Sequence, residues 1–252
     1  MYLIVANWKM NKTVKETEEY LAEFKPLVKD IDNVEIVITP PFTSLYTASE
    51  SLKDSNIKLG SQNMFYKDSG AFTGEISPLM LKELNVEYVL LGHSERRHIF
   101  GERDDLINKK IISAIENGIR PILCVGETLE EKEQGKTFSV IERQIRNGLA
   151  GVEREANYID IAYEPVWAIG TGVSATPEDA NNVHKFIKEI LDEISSGNSQ
   201  KTRVLYGGSV KSSNADSLIK GEFIDGFLVG TASLNPQSFY EIIQKLMWII
   251  KV

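Results

Sequence analysis

One lysine, one histidine and two glutamates of this 252-residue chain each stand just beyond a short apolar run. Glu164 comes after residues 159–163, where Ile159, Ile161 and Tyr163 alternate with Asp160 and Ala162. A carboxylate held there suits general-base work, although an ordinary loop carboxylate would read the same way. His93 follows Tyr88-Val89-Leu90-Leu91-Gly92 and precedes Ser94-Glu95, which reads as a first helical turn. The positive end of a helix holds an imidazole neutral, so that its N–H can polarise a carbonyl; a capping or core hydrogen bond is the other reading. Asn7 and Lys9 follow residues 2–6, and Glu95 stands two places beyond His93. Gly207-Gly208-Ser209 and Gly230-Thr231 close the last two apolar runs. Small residues at adjacent turns let backbone N–H groups converge on an anion such as phosphate, though either pair alone also makes a tight turn.

After Glu164 the chain reads Pro165-Val166-Trp167-Ala168-Ile169-Gly170-Thr171-Gly172-Val173-Ser174-Ala175. A stiff start, an apolar middle and a glycine tip describe a lid that closes over a site and excludes water. Gly170 to Ala175 also fits the dinucleotide pattern G-x-G-x-x-A. Residues 165–169 separate it from the strand, however, so the glycines do not form the strand-to-helix turn that pattern needs. Gly135-Lys136-Thr137 resembles the end of a phosphate-binding loop, but Glu130 occupies the place of its first glycine. The acidic run 127–133 reads as a solvated face. His98 and His184 read as structural, and no spacing of histidine, cysteine and carboxylate suits zinc or iron, so no metal is expected.

Eight apolar, β-branched runs must position these groups: 2–6, 34–39, 57–61, 88–92, 119–125, 159–163, 204–206 and 226–229. Several are apolar on both faces, as in a parallel sheet covered on each side. The segments between them carry a helical period; Ala180, Val183, Phe186, Ile187, Ile190, Leu191 and Ile194 form one such stripe. Ser77-Pro78, Thr176-Pro177 and Asn235-Pro236 each offer an N-cap followed by proline, and Thr176 has Asp179 at capping-box spacing. Eight strand–helix units in 252 residues predict an α/β fold, a (β/α)8 barrel forming one domain over residues 1–252. A doubly wound sheet is the alternative. In a barrel the site gathers at the C-terminal ends of the strands, where Asn7, Lys9, His93, Glu95, Glu164, Ser209, Gly230 and Thr231 fall.

Composition narrows the function further. An apolar share of 42% supports a large core, and a net charge of −8 is unlike a nucleic-acid or anionic-membrane binder. An anionic substrate must then be held by local groups against the overall field. One cysteine, Cys124, excludes a disulfide framework. With no leader and no apolar run near the ~20 residues of a membrane span, a soluble cytoplasmic protein is expected.

Asn7-Trp8-Lys9, the 92–97 segment Gly-His-Ser-Glu-Arg-Arg, the 163–172 segment, Tyr206-Gly207-Gly208-Ser209-Val210 and the 225–230 segment together resemble the triosephosphate isomerase family, in order and over essentially the whole chain. The resemblance implies an isomerase interconverting dihydroxyacetone phosphate and D-glyceraldehyde 3-phosphate through an enediol(ate), a step of glycolysis and gluconeogenesis, with no cofactor. This family is itself the standard illustration of neutral-imidazole tuning and of lid closure. Residue by residue, it implies that Glu164 is the base and His93 the neutral electrophile. Lys9 is the cation, with Asn7 orienting beside it. Gly170, Ser209, Gly230 and Thr231 are phosphate donors, Glu95 is a buried supporting carboxylate, and residues 165–175 are the lid. Ile169 would close over Glu164 opposite Leu228, with Tyr206 and Ala175 latching the lid. Residues 62–75 resemble a loop, tipped by Thr73, that docks into a second subunit. Leaving Met64, Phe65, Tyr66, Ala71 and Phe72 exposed would be costly, which favours a homodimer.

The sequence departs from the family pattern at Thr231, where a second glycine is usual, at Val173, where lysine is common, and at Ala6, which replaces glycine. A different phosphate-sugar isomerase, or a non-catalytic phosphate-ligand binding protein on the same barrel, fits less well with Lys9, His93 and Glu164 all in place.

Overall fold

The eight apolar runs become eight strands because both of their faces are covered. In a computed structural model describing residues 1–168, 175–197 and 199–250, they are β1 (Tyr2–Asn7), β2 (Val34–Thr39), β3 (Ile57–Ser61), β4 (Tyr88–Leu91), β5 (Arg120–Val125), β6 (Asp160–Tyr163), β7 (Val204–Tyr206) and β8 (Gly226–Val229). Each pairs in parallel with the next, and β8 returns to β1, closing the barrel. Alternate residues point to opposite sides. Leu3, Val5, Val37, Leu90, Ile122, Cys124, Ala162, Leu205 and Leu228 fill the interior. Ile4, Ile36, Ile38, Val89, Leu91, Leu123, Ile161 and Val204 face outward under the helices.

Among the described residues ten α-helices ring the barrel: α1 (Val14–Val28), α2 (Phe42–Ser51), α3 (Pro78–Glu83), α4 (Ser94–His98), α5 (Asp104–Glu116), α6 (Leu129–Glu133), α7 (Thr137–Leu149), α8 (Pro177–Ile194), α9 (Ser212–Ile219) and α10 (Pro236–Ile250). The proline-marked starts hold. Ser77 accepts from the Met80 N–H, Thr176 from Asp179 and Asn235 from Ser238. Two further starts went unread: Thr13 with Glu16 and Thr128 with Glu131 form reciprocal capping boxes. The short α4 and α6 are additions to the eight-unit count, each inserted between a strand's C-terminal end and the longer helix that returns the chain.

Asp160 corrects the simple alternation read for β6. Both faces of that strand are buried, and the Asp160 carboxylate is wholly enclosed at the N-terminal mouth of the barrel. Arg120 grips it through Nε at 2.7 Å and Nη2 at 2.8 Å, and Arg203 through Nε at 3.0 Å and Nη2 at 2.7 Å. Arg203 also pairs with Glu35 and donates to the Tyr88 hydroxyl.

Candidate active site

Register at the other mouth decides which side chains meet. Val125 lies beside Tyr163, and Tyr163 beside Tyr206. The ladder continues one residue further: Glu164 N–H donates to Val125 O and Gly207 N–H to Tyr163 O, each at 2.7 Å. Gly126, Glu164 and Gly207 therefore emerge at one level. A Cβ at Gly126 would lie 1.8 Å from Glu164 O, and one at Gly207 would lie 2.9 Å from Glu164 Cγ. Glycine just past β5 leaves room for the Glu164 backbone, and glycine just past β7 for its side chain.

Glu164 is buried and holds two partners. Its Oε1 lies 2.9 Å from His93 Nε2, and its Oε2 accepts the Ser94 N–H at 3.1 Å. His93 is the N-cap of α4, and its Nδ1 accepts the Glu95 N–H at 3.2 Å. An acceptor at Nδ1 assigns the ring proton to Nε2, facing Glu164. Burial alone would lower the His93 pKa, but the adjacent carboxylate outweighs it and the net shift is upward. Burial would likewise raise Glu164, yet the charge and hydrogen bond of His93, with the Ser94 N–H, hold it below the usual carboxylate value. The two shifts describe one coupled pair.

Lys9 reaches this pair from β1. Its backbone has φ 53°, uncommon for a residue with a side chain and costly unless its surroundings fix it. Its N–H donates to Asn7 Oδ1 at 3.0 Å, and the Gln62 amide donates to its carbonyl at 2.8 Å and to Thr39 O at 2.9 Å. The ammonium then meets Glu95 Oε1 at 2.7 Å.

Asn7, Lys9, His93, Glu164, Ser209, Gly230, Thr231 and Leu228 line one cavity of about 400 Å³. A 3-10 turn over Thr231–Leu234 opens at Gly230 on its wall. Among the described residues, no three histidine, cysteine, aspartate or glutamate side chains converge as a metal-ligand set. The arrangement brings a carboxylate, a ring N–H donor and a lysine around a space sized for a small metabolite.

Comparison with known proteins agrees with this geometry. The family model described as triosephosphate isomerase matches residues 2–246. The triosephosphate isomerase of Aquifex aeolicus is 60% identical over 241 residues, covering 96% of this chain and 98% of that protein. That of Dictyoglomus turgidum is 57% identical over 244 residues, and that of Endomicrobium trichonymphae 50% over 243, each covering 96% of this chain. They span 98% and 97% of those two proteins. The chain belongs to the triosephosphate isomerase family.

Within that family frame, some expectations land and others shift. Asn7, Lys9, His93, Glu164, Ser209, Gly230 and Thr231 share the cavity as expected. Glu95 does not fit the buried role: its side chain is 39% exposed while it pairs with Lys9, because α4 carries it at the rim. Of the lid, Pro165, Val166, Trp167, Ala168 and Ala175 are described, and the Ala175 N–H donates to the Tyr206 hydroxyl at 3.1 Å. Ile169, Gly170, Thr171, Gly172, Val173 and Ser174 lie outside the described residues. Met64 is core, whereas Phe72 is 40% exposed and stacks on Phe65, which stacks on Tyr66.

Two residues were passed over. Gln62 and Glu127 stand just past β3 and β5, where the strand-end rule, applied there too, would have picked them out. Glu127, which opens the acidic run expected to form a solvated face, is buried. It accepts the Trp167 indole N–H at 2.8 Å and the Tyr163 hydroxyl at 3.2 Å. Burial pushes its pKa up against those bonds.

Proposed function

We propose that the cavity at the C-terminal mouth carries out the family's reaction on a single barrel domain spanning residues 1–252. The chain is an aldose–ketose isomerase, interconverting dihydroxyacetone phosphate and D-glyceraldehyde 3-phosphate through an enediol(ate) in glycolysis and gluconeogenesis. The observation that carries the site assignment is the 2.9 Å contact between Glu164 and a His93 whose Nδ1 is already occupied by a backbone N–H.

That contact also defines the work of the first step. Glu164 must leave His93 and the Ser94 N–H to face a substrate carbon. With it goes the main influence raising the His93 pKa; burial, the nearby Lys9 charge and the Glu95 N–H at Nδ1 then favour the neutral ring, opposed by the Glu95 carboxylate alone. His93 then meets the substrate as a neutral ring with its proton on Nε2. The freed carboxylate, beside Leu228 and out of water, becomes more basic.

Glu164 takes the proton from one carbon while the bonding electrons move onto the carbonyl oxygen. The His93 Nε2–H and the Lys9 ammonium face that oxygen, and Asn7 holds Lys9 in place. The His93 ring gives its Nε2 proton to that oxygen and takes the proton of the neighbouring hydroxyl in exchange, and return of the carbon-bound proton from Glu164 to the adjacent carbon completes the isomerisation without a cofactor. Backbone N–H groups of Ser209, Gly230 and Thr231 are assigned to the phosphate, with Gly170 joining from the lid. This grip, remote from the reacting carbons, drives lid closure.

A homodimer through residues 62–75 completes the reading, supported by Phe72 and by further exposed apolar side chains, Tyr46 on α2, Leu79 and Met80 on α3, and Met10 and Phe100 between elements. No helix of the described residues is long and apolar enough to cross a membrane, and a cytoplasmic location is proposed. Turnover of glyceraldehyde 3-phosphate by the purified chain in a coupled assay tests the reading. Absence of turnover at saturating substrate would overturn it in favour of a non-catalytic phosphate binder. Sedimentation at micromolar concentration is expected to give twice the 28.3 kDa chain mass.

A further inference from the structure

The charges around the cavity leave one position whose role the reaction does not use. The charged or titratable residues lining it are Lys9, His93, Glu164 and Lys211. Lys9 is neutralised by Glu95 at 2.7 Å, and His93 is committed to Glu164 at 2.9 Å. With a neutral imidazole, Lys9, Glu95 and Glu164 sum to one negative charge facing an anionic substrate. The chain as a whole, these residues included, carries a net charge of −8. Lys211 is the exception: exposed at the rim, it forms no ion pair among the described residues.

Local structure keeps it there. Lys211 follows the Gly207-Gly208-Ser209 turn and is the N-cap residue of α9, outside the helix. Its N–H donates to Asn214 Oδ1 at 2.8 Å, and the Asn214 amide donates to Ser209 O at 2.9 Å. One asparagine thus ties the lysine to the turn assigned to the phosphate.

We propose that Lys211 is the capture cation of this site, drawing the phosphate dianion to the cavity against the field of an acidic protein. The inference rests on the triose phosphate reading above. A unit charge acting on a dianion ~8 Å away through water changes its local concentration about five-fold by Coulomb's law. That attraction acts on encounter and affinity, so it appears in kcat/KM and leaves kcat alone. It also fades with salt, because the Debye length shrinks from ~30 Å at 0.01 M to ~3 Å at 1 M.

The test compares Lys211→Gln with Lys220→Gln in the full-length enzyme. Lys220 is exposed at the other end of α9, about 13 Å along the helix, so both variants change net charge equally. At about 0.01 M ionic strength, Lys211→Gln is expected to lower kcat/KM about five-fold with kcat held, and the gap should close towards 1 M. Lys211→Arg should restore the rate, and Lys220→Gln should match the parent. Inorganic phosphate binding, followed by calorimetry, should weaken in parallel for Lys211→Gln at low salt. Equal losses in the two glutamine variants, a gap insensitive to salt, or no gap at all would each overturn the proposal. An unmodified chain without turnover would instead sink the isomerase reading, and the phosphate titration would still decide whether Lys211 captures the anion.

Discussion

Both mouths of this barrel open onto cavities of similar size, about 400 Å³ at the C-terminal ends of the strands and about 420 Å³ at the N-terminal ends. Each mouth has a buried carboxylate at one end of β6: Glu164, just past the strand, lines the first cavity, and Asp160 sits behind Arg120 and Arg203, which line the second. Asp160 at the N-terminal mouth is clamped by two guanidiniums through four hydrogen bonds to side chains, and one of those guanidiniums is itself tied to Glu35 and Tyr88. Glu164 at the C-terminal mouth has one imidazole and one backbone N–H. Both carboxylates are held below their ordinary pKa against burial. The difference lies in what it takes to let go. Moving Asp160 would strand two half-buried arginines, whereas moving Glu164 frees a ring that is comfortable neutral. Volume does not separate a structural cavity from a working one; the cost of breaking its ion pair does.

The largest effect that sharpens this contrast is Glu164→Gln. It should lower kcat by ~10³-fold while a phosphate analogue still binds, because the proton acceptor is gone and the phosphate grip is not. A drop of only two-fold would remove Glu164 from its role as base. Asp160→Asn should do the opposite, costing about 3 kcal/mol of stability by removing the buried charge that two half-buried arginines share, with kcat per folded molecule within a few-fold of the parent. If that variant folded normally but lost turnover as deeply as Glu164→Gln, the division between the mouths would fail.

pH gives a smaller, graded version of the same test. The Asp160 pKa is depressed in the folded chain, so its stabilisation is complete above the ordinary aspartate value of ~3.9 and is lost as pH falls through the folded value. Acid unfolding of the parent should therefore be steeper below about pH 4 than that of Asp160→Asn, as followed by circular dichroism. Matching slopes would mean that Asp160 does not feel its arginines. The smallest expected change is Thr231→Gly on the cavity wall: KM should move by two- to three-fold with kcat unchanged, since the backbone N–H is retained and ~1 kcal/mol or less of contact changes. An unaltered KM would show that the Thr231 side chain does not touch substrate.

Much of the site was legible because a barrel converts strand ends into a list of candidates. Run ends pointed to Asn7, Lys9, His93, Glu164, Ser209, Gly230 and Thr231, and all seven line one cavity. Gln62 and Glu127 obey the same rule but lacked an accompanying chemical pattern. The exposure of Glu95 follows from where α4 sits on the rim, which residue types do not specify.

The sequence by itself determined the number and order of the strand–helix units, the capped helix starts and the residue types at each strand end. These follow from local periodicity and capping chemistry, which act within a few residues. Only the tertiary structure decided that Asp160 is clamped, that Glu127 is buried and that Glu164 rests on His93. Those outcomes depend on which residues come level across neighbouring strands. Parallel register joins positions tens of residues apart, such as Val125, Tyr163 and Tyr206. Whether a buried charge is locked or released depends on how many partners that register delivers to it.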